Sequence, residues 1–270
     1  MSLARMRVLA LAACACFAAV ALAAPAAGET LRLAGTGSAT ELLRRLGAVF
    51  KADSGIEVEV LPSLGSSGAI RALDDGVLDL AVSGRALKPE ESAQGMTIAF
   101  TARTAFVLAT SHADPNGLTL AGIAEAFQSE RPAWSDGSPI RVILRPRAES
   151  DTALMGELFP GVAPAMAKAR RRPDIPVAAT DQDNADMAEQ TPGSLIGSTL
   201  TQIRLEKRNL RLVPIEGVEP TFENFERGTY RYAKPLNFIV SARPAPLVER
   251  FIAFLRSPGG QSALRQAHAL

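Results

Sequence analysis

Between Leu31 and Gly84 the chain alternates short apolar runs with amphipathic ones, and this alternation narrows the fold class more than any other feature. "LRLAG" (31–35) is brief and apolar. "ATELLRRLGAVFKADSG" follows, with Leu42, Leu43, Leu46, Val49 and Phe50 at the spacing of one helical face and Gly55 as a stop. "IEVEVLP" alternates Ile56, Val58 and Val60, the pattern of a strand with one buried face. A second helical stretch carries Ile70, Leu73 and Val77, and "LDLAVSG" (78–84) reads as another strand. Strands alternating with helices predict parallel α/β architecture.

The rest of the chain continues in kind. "TAFVLATS" (104–111), "PIRVILRP" (139–146), "TPGSLIGST" (191–199) and "RYAKPLNFIVS" (231–241) read as strands. "LTLAGIAEAFQSERPAW" and "AESDTALMGELFPG" read as helices. "PAPLVERFIAFLRSP" places Leu247, Val248, Phe251, Ile252 and Leu255 on one helical face. A length of 270 residues allows one large domain or two modest α/β lobes.

The first residues read as a targeting segment. "MSLARMR" supplies Arg5 and Arg7, Val8 to Ala23 is a sixteen-residue apolar run, and "ALAAPAAGE" offers small-x-small cleavage options between Ala23 and Ala27. That run is short for a membrane span. Residues 1–26 are therefore expected to be a cleaved signal peptide, with a periplasmic product. Lipidation at Cys14, within "LAAC", is the lesser alternative, because the apolar run before it is short. Cys14 and Cys16 are the two cysteines, so the mature chain needs no disulfide framework. Losing Arg5 and Arg7 lowers the 29 basic residues to 27 against 28 acids, which gives no field recommending nucleic acid as a partner.

Gly/Ser-rich segments stand where strands feed helices at "GTGSATELL" (35–43) and "LGSSGAI" (64–70), and a third corner, "RPRAESDTA" (145–153), brings two arginines and then Ser150 and Thr152 onto a helix start. The first-turn N–H groups of a helix lack intrahelical partners, and the dipole leaves partial positive charge there. Small residues let an anion approach those amides, and Ser or Thr adds a hydroxyl donor. One such corner means little, since Ser and Thr cap any helix. Several corners with arginines nearby describe a site for a small oxyanion, to which Arg brings a planar fork. Ser83, ending "DLAVS", and Arg85 two residues on form a fourth candidate.

"GTGSAT", "GSSGAIRALDDGVLDLAVS" and R-x-x-S-x-T, in that order, resemble the periplasmic phosphate-binding protein of bacterial ABC phosphate uptake. "LTLAGIAEAF…PAW", "TPGSLIG", "GVEPTFENFERGTYRYAKPLNFIV" and the late Gly-Gly-Gln extend the likeness over nearly the whole mature chain. The resemblance implies a type II periplasmic binding fold: two α/β lobes, each a mostly parallel sheet flanked by helices, joined by two crossover strands. "TAFVLATS" and "KPLNFIVS" would be the crossovers. Lobe one would then comprise 27–107 plus 235–270, and lobe two 108–234. The implied ligand is inorganic phosphate, with sulfate or molybdate/tungstate as alternatives, and the implied partner is an inner-membrane ABC permease. A monomer without cofactor is expected.

Carried over by position, Ser66 matches the family's serine in the G-S-S-G corner, and Ser38, with Thr36 and Ala39 as neighbours, fits the first corner. Ser150 and Thr152 match the hydroxyls of the family's R-x-x-x-S-G-T. That pattern sets its arginine where this chain has Pro146; Arg145 and Arg147 flank it, with Arg147 preferred. Ser83 and Arg85 would stand at the rim or touch the ligand. Two departures affect selectivity. Gly84 replaces an aspartate that would accept a hydrogen bond from protonated phosphate, and Asp151 replaces a glycine. Asp151 either restores the missing acceptor from the other lobe or is a helix-terminal acid facing solvent.

Catalysis finds little support. No G-x-S-x-G occurs, and no lysine has a serine three residues before it. The two histidines, His112 and His268, are not placed like a catalytic base, and too few ligands exist for zinc. "KARRRP" (168–173) reads as a solvated helix face, Trp134 as a packing residue and "DQDNAD" (181–186) as a surface turn. An exported sensor or adhesion protein reusing the fold is the other non-enzyme reading.

Overall fold

A computed structural model describes residues 30–61 and 64–270. The expected signal peptide and Cys14 lie outside the described residues. In chain order the elements are β1 (Thr30–Gly35), a 3-10 turn (Gly37–Ala39), α1 (Thr40–Ser54), β2 (Glu57–Val60), α2 (Gly65–Asp74), β3 (Leu80–Ser83) and α3 (Pro89–Ala93). Next come β4 (Thr97–Thr110), α4 (Leu120–Gln128), β5 (Arg141–Val142), α5 (Ser150–Leu158), α6 (Val162–Ala169), α7 (Asp181–Gln190) and β6 (Ser194–Thr199). The chain ends with α8 (Leu200–Leu205), β7 (Arg211–Val213), α9 (Phe222–Glu226), β8 (Ala233–Val240), α10 (Pro246–Arg256) and α11 (Pro258–Gln266).

The strands form one mixed sheet in the order β2-β1-β3-β8-β4-β6-β5, with β7 also on β4. β1 pairs in parallel with β2 and β3, as the strand–helix alternation requires. β8 runs antiparallel to both β3 and β4. β4 serves two halves of the molecule: Thr97 to Ala105 pair with β8, and Phe106 to Thr110 pair with β6 and β7. The two long strands β4 and β8 are thus the crossovers of a two-lobed α/β fold.

Apolar packing follows the same division. In lobe one, Leu31, Leu33, Leu80 and Val82 face α1, α10 and α11, whose Leu42, Leu46, Phe50, Phe251, Leu255 and Leu264 complete a core. The opposite face of the sheet, at Ala34 and Ala81, is covered by Ala69, Ile70 and Leu73 of α2. Lobe two has a separate core around Phe106, Phe127, Phe159, Leu195 and Ile196. Tyr230 ties β4 to the segment before β8: its buried hydroxyl donates to the Phe106 carbonyl at 2.8 Å.

Several elements depart from the sequence expectation. α1 ends as expected at Gly55, whose φ of 75° suits glycine. α2 stops at Asp74, so Val77 is not on its face and is exposed. The expected strand at 139–146 shrinks to Arg141–Val142, although Ile143 N still donates to Leu195 O. β4 begins at Thr97, seven residues earlier than "TAFVLATS" suggests, because Thr97 to Arg103 is a half-exposed stretch with weak apolar patterning. "DQDNAD" is no surface turn. It opens α7, with Thr180 and Asp183 forming a capping box and with Asp181 and Asn184 buried. "KARRRP" is only partly a solvated face: Arg170 and Arg172 fold back onto the carbonyls of Arg145 and Ser129.

Candidate functional site

The lobe-one corners meet at the ends of β1 and β3. Thr36 and Ser38 lie buried in the turn from β1 into α1, and Ser66 in the first turn of α2. The Ser66 Oγ accepts from the Gly84 amide at 2.9 Å, joining the second corner to the end of β3. Ser83 closes on itself, donating to Arg85 O at 2.8 Å and accepting from Arg85 N at 3.2 Å. The Arg85 guanidinium grips both Glu91 oxygens at 2.7 and 2.8 Å and donates to Ser67 Oγ at 3.0 Å. That grip holds the Glu91 carboxyl below, and the Arg85 guanidinium above, their usual ranges. Ser83 and Arg85 therefore build the corner; their side-chain bonds stay within lobe one.

Lobe two brings the start of α5 against these corners. Ser150 Oγ stands 3.4 Å from Ser66 Oγ, across the seam between lobes. Asp151, beside it, is buried and ion-paired with the Lys234 ammonium, so the solvent-facing alternative for this acid is corrected. Arg145, only 8% exposed, lies within 3.3 Å of Asp181 Oδ1 and 3.6 Å of Glu149 Oε2, and it donates to Ala178 O at 2.8 Å. Its Nε is buried without a hydrogen-bond partner among the described residues. Arg147, the preferred arginine on sequence grounds, is exposed instead, lining an open groove of about 440 Å³ with Arg170. The chain passes Pro146 in a bend that turns successive arginines to opposite sides. Thr152 also stays out of the seam: its hydroxyl donates to Pro146 O at 2.9 Å and braces that bend.

Three charged side chains at the seam were not foreseen from the sequence. Lys234, opposite Thr104 where β8 crosses between lobes, is fully buried; its ammonium donates to Thr36 Oγ1 at 3.1 Å and Ser38 Oγ at 2.9 Å. A lysine inside the apolar strand "YAKPLNFIV" was the available signal, since a buried ammonium requires partners. Asp181, first residue of α7, accepts from the Ser38 amide at 2.8 Å through Oδ2. Glu149 precedes α5 and sits at the mouth of the seam near Gly65. Lys234 also explains Gly84: a Cβ at that position would stand 2.5 Å from Lys234 Cε and 3.4 Å from its Nζ. An ammonium thus crosses the space where the resemblance implies a carboxylate.

Two cations, Arg145 and Lys234, therefore face three carboxylates, Glu149, Asp151 and Asp181. Burial pushes the Asp151 carboxyl up; Lys234 pulls it back, and Asp181 adds to the rise. Burial likewise pushes Glu149 up against the pull of Arg145. Among the described residues no cluster has the composition of a metal site, and no helix is long and apolar enough to cross a membrane.

The site converges main-chain amides (Ser38, Gly84), hydroxyls (Thr36, Ser38, Ser66, Ser150), an ammonium and a guanidinium on one buried seam. Such donors suit a small anion. Solved structures with the same architecture include a putative phosphate ABC transporter substrate-binding protein with bound phosphate from Clostridium perfringens, at 19% identity and a TM-score of 0.76, covering 90% of this chain and 99% of that one. An ABC-type phosphate transport receptor from Vibrio cholerae is 18% identical, with a TM-score of 0.61 over 89% of this chain and 99% of the other. A phosphate-binding protein from Stenotrophomonas maltophilia is 13% identical, with a TM-score of 0.64 over 89% of both chains. No curated protein matches the sequence. A family model described as a PBP superfamily domain matches residues 20–258, and the chain belongs to that superfamily.

Proposed function

We propose that the protein captures an inorganic oxyanion, phosphate first, in the seam between its lobes and delivers it to an ABC permease. The observation that carries this reading is the gathering, along one buried seam, of the Lys234 ammonium, the Arg145 guanidinium and the Ser38 and Gly84 amides. The phosphate-bound protein from Clostridium perfringens and the phosphate transport receptor from Vibrio cholerae support the choice of anion. Ser66 and Ser150 would add hydroxyls from the two lobes. Arg145 replaces Arg147 in the proposed ligand set, and Thr152, Ser83 and Arg85 support the corners. Asp151 would accept a hydrogen bond from a protonated oxyanion.

The energetics are adequate. Charge-assisted hydrogen bonds contribute roughly 1.5–3 kcal/mol each, and micromolar affinity needs about −8 kcal/mol. Four or five such bonds amount to roughly 6–15 kcal/mol before ordering and desolvation costs, a range that brackets that value. The proposed moving bodies are residues 27–107 with 235–270, and 108–234, hinged at β4 and β8. The working protein is proposed to be a periplasmic, non-catalytic monomer. Titration calorimetry of phosphate, sulfate and molybdate into the purified protein tests the reading: saturable heat with phosphate strongest supports it, and no heat with any of the three overturns it. Transport is preferred to sensing because two of the named neighbours are described as ABC phosphate transport proteins; loss of phosphate uptake on deleting the gene would separate the two.

A further inference from the structure

Asp181 occupies the position that an arriving oxyanion would need. It is the first residue of α7, and Thr180 and Asp183 already cap that helix: Thr180 Oγ1 accepts from Asp183 N at 3.0 Å, and Asp183 Oδ2 accepts from Thr180 N at 3.0 Å. The Asp181 carboxylate is therefore free for the seam. Its Oδ2 takes the Ser38 amide of lobe one at 2.8 Å, and its Oδ1 lies 3.3 Å from the Arg145 guanidinium of lobe two. Two oxygens of one anion bridging an amide and an arginine is how a tetrahedral oxyanion would sit there. The surrounding contacts fix this pose. Gln182 Nε2 donates to Gly37 O at 3.0 Å, and Gln202 Nε2 donates to the Asp181 carbonyl at 3.2 Å. Asp181 itself is 7% exposed.

We infer that Asp181 is a built-in surrogate anion, which holds the ligand-free cleft shut and must leave the Ser38 amide and Arg145 before an oxyanion binds; this rests on the oxyanion reading above. An internal competitor acts at high effective concentration. Apparent affinity is then the intrinsic affinity scaled by the fraction of molecules in which the internal contact is open. Asp181 thereby sets the ligand concentration at which the protein fills, and it gives the empty form a closed shape.

The test compares wild type, Asp181→Ala and Gln182→Ala by calorimetry with inorganic phosphate and by small-angle scattering without ligand. Asp181→Asn, which keeps the side-chain volume, substitutes if Asp181→Ala does not fold. Asp181→Ala should bind phosphate at least tenfold more tightly than wild type and show a larger ligand-free radius of gyration. Gln182→Ala removes an inter-lobe bond without vacating the anion's place and should not tighten binding. Wild-type binding that Asp181→Ala leaves unchanged or weakens overturns the inference while the oxyanion reading stands. Equal tightening by Gln182→Ala also overturns it, since loss of any inter-lobe bond would then suffice. If neither wild type nor Asp181→Ala binds phosphate, the oxyanion reading falls and the competition with it. Equal radii of gyration for ligand-free wild type and Asp181→Ala would refute the latch on its own.

Discussion

Replacing Lys234 with methionine removes the ammonium at the crossover while nearly preserving side-chain volume. Lys234 is fully buried, and it pairs with Asp151, Thr36 and Ser38. Methionine leaves little cavity, so the packing term is small. The electrostatic term dominates, because Asp151 stays buried beside Asp181 with its nearest cation gone. Breaking a buried pair by deleting one partner costs about 3–5 kcal/mol. For a chain of this size 1 kcal/mol moves the melting temperature by about 2–4 °C, so the expected loss is on the order of 10 °C at neutral pH. Lys234→Met should recover part of this loss in mild acid, where Asp151 takes up a proton. The double variant Lys234→Met/Asp151→Leu should restore most of the stability, since an apolar pair can replace a buried ion pair at little cost. Thermal unfolding of the ligand-free proteins at two pH values reads all three effects. A single-variant loss below about 1 kcal/mol, or a double variant no better than the single, would refute the pairing argument.

Arg145→Ala should weaken phosphate binding more than tenfold, whereas Arg147→Ala should change it less than twofold; calorimetry on both variants checks the assignment. Gly84→Ala places a methyl 2.5 Å from Lys234 Cε, and it should cost about 1–3 kcal/mol by overpacking, measurable by denaturant unfolding. Asp151 and Glu149, facing Arg145, Lys234 and Asp181, are raised by burial. Their folded forms therefore bind protons more tightly than the unfolded chain does. Their contribution is present at low pH and is lost as pH rises through their folded values. Melting temperature should accordingly rise as pH falls below neutrality through the range in which these raised carboxyls take up protons. It should drop only in stronger acid, where the depressed Glu91 is protonated. Asp151→Asn should flatten the upper limb of that profile.

The two lobe-one corners are legible because a Gly/Ser-rich segment between an apolar strand and a helix has few structural meanings, and the third because arginines precede a hydroxyl-bearing helix start. Ser66 and Ser150, far apart in the chain, approach to 3.4 Å, and Ser38 is linked to them through Lys234 and Asp151. Arg145 and Arg147 could not be separated by spacing alone, since the bend at Pro146 decides which one turns inward. The acid-rich "DQDNAD" carries almost no apolar periodicity and so has the pattern of a surface turn, yet Thr180 and Asp183 have the spacing of a capping box. The burial of Asp181 depends on Arg145 and Ser38, 36 and 143 residues away, and no local pattern records such contacts. Lys234 sat inside a strand recognised as a crossover, but its partners come from both lobes. The start of β4 is hidden in the sequence for a related reason: its first half pairs with β8 and stays half-exposed, so apolar patterning gives no start signal.

A crystal structure of the protein grown with phosphate tests the central claim most directly. The expected result is a tetrahedral anion within hydrogen-bond distance of Lys234 Nζ, the Arg145 guanidinium and the Ser38 amide, with the Asp181 carboxylate moved off that amide. Phosphate bound elsewhere, for instance in the Arg147–Arg170 groove, with Asp181 still on Ser38, would contradict it.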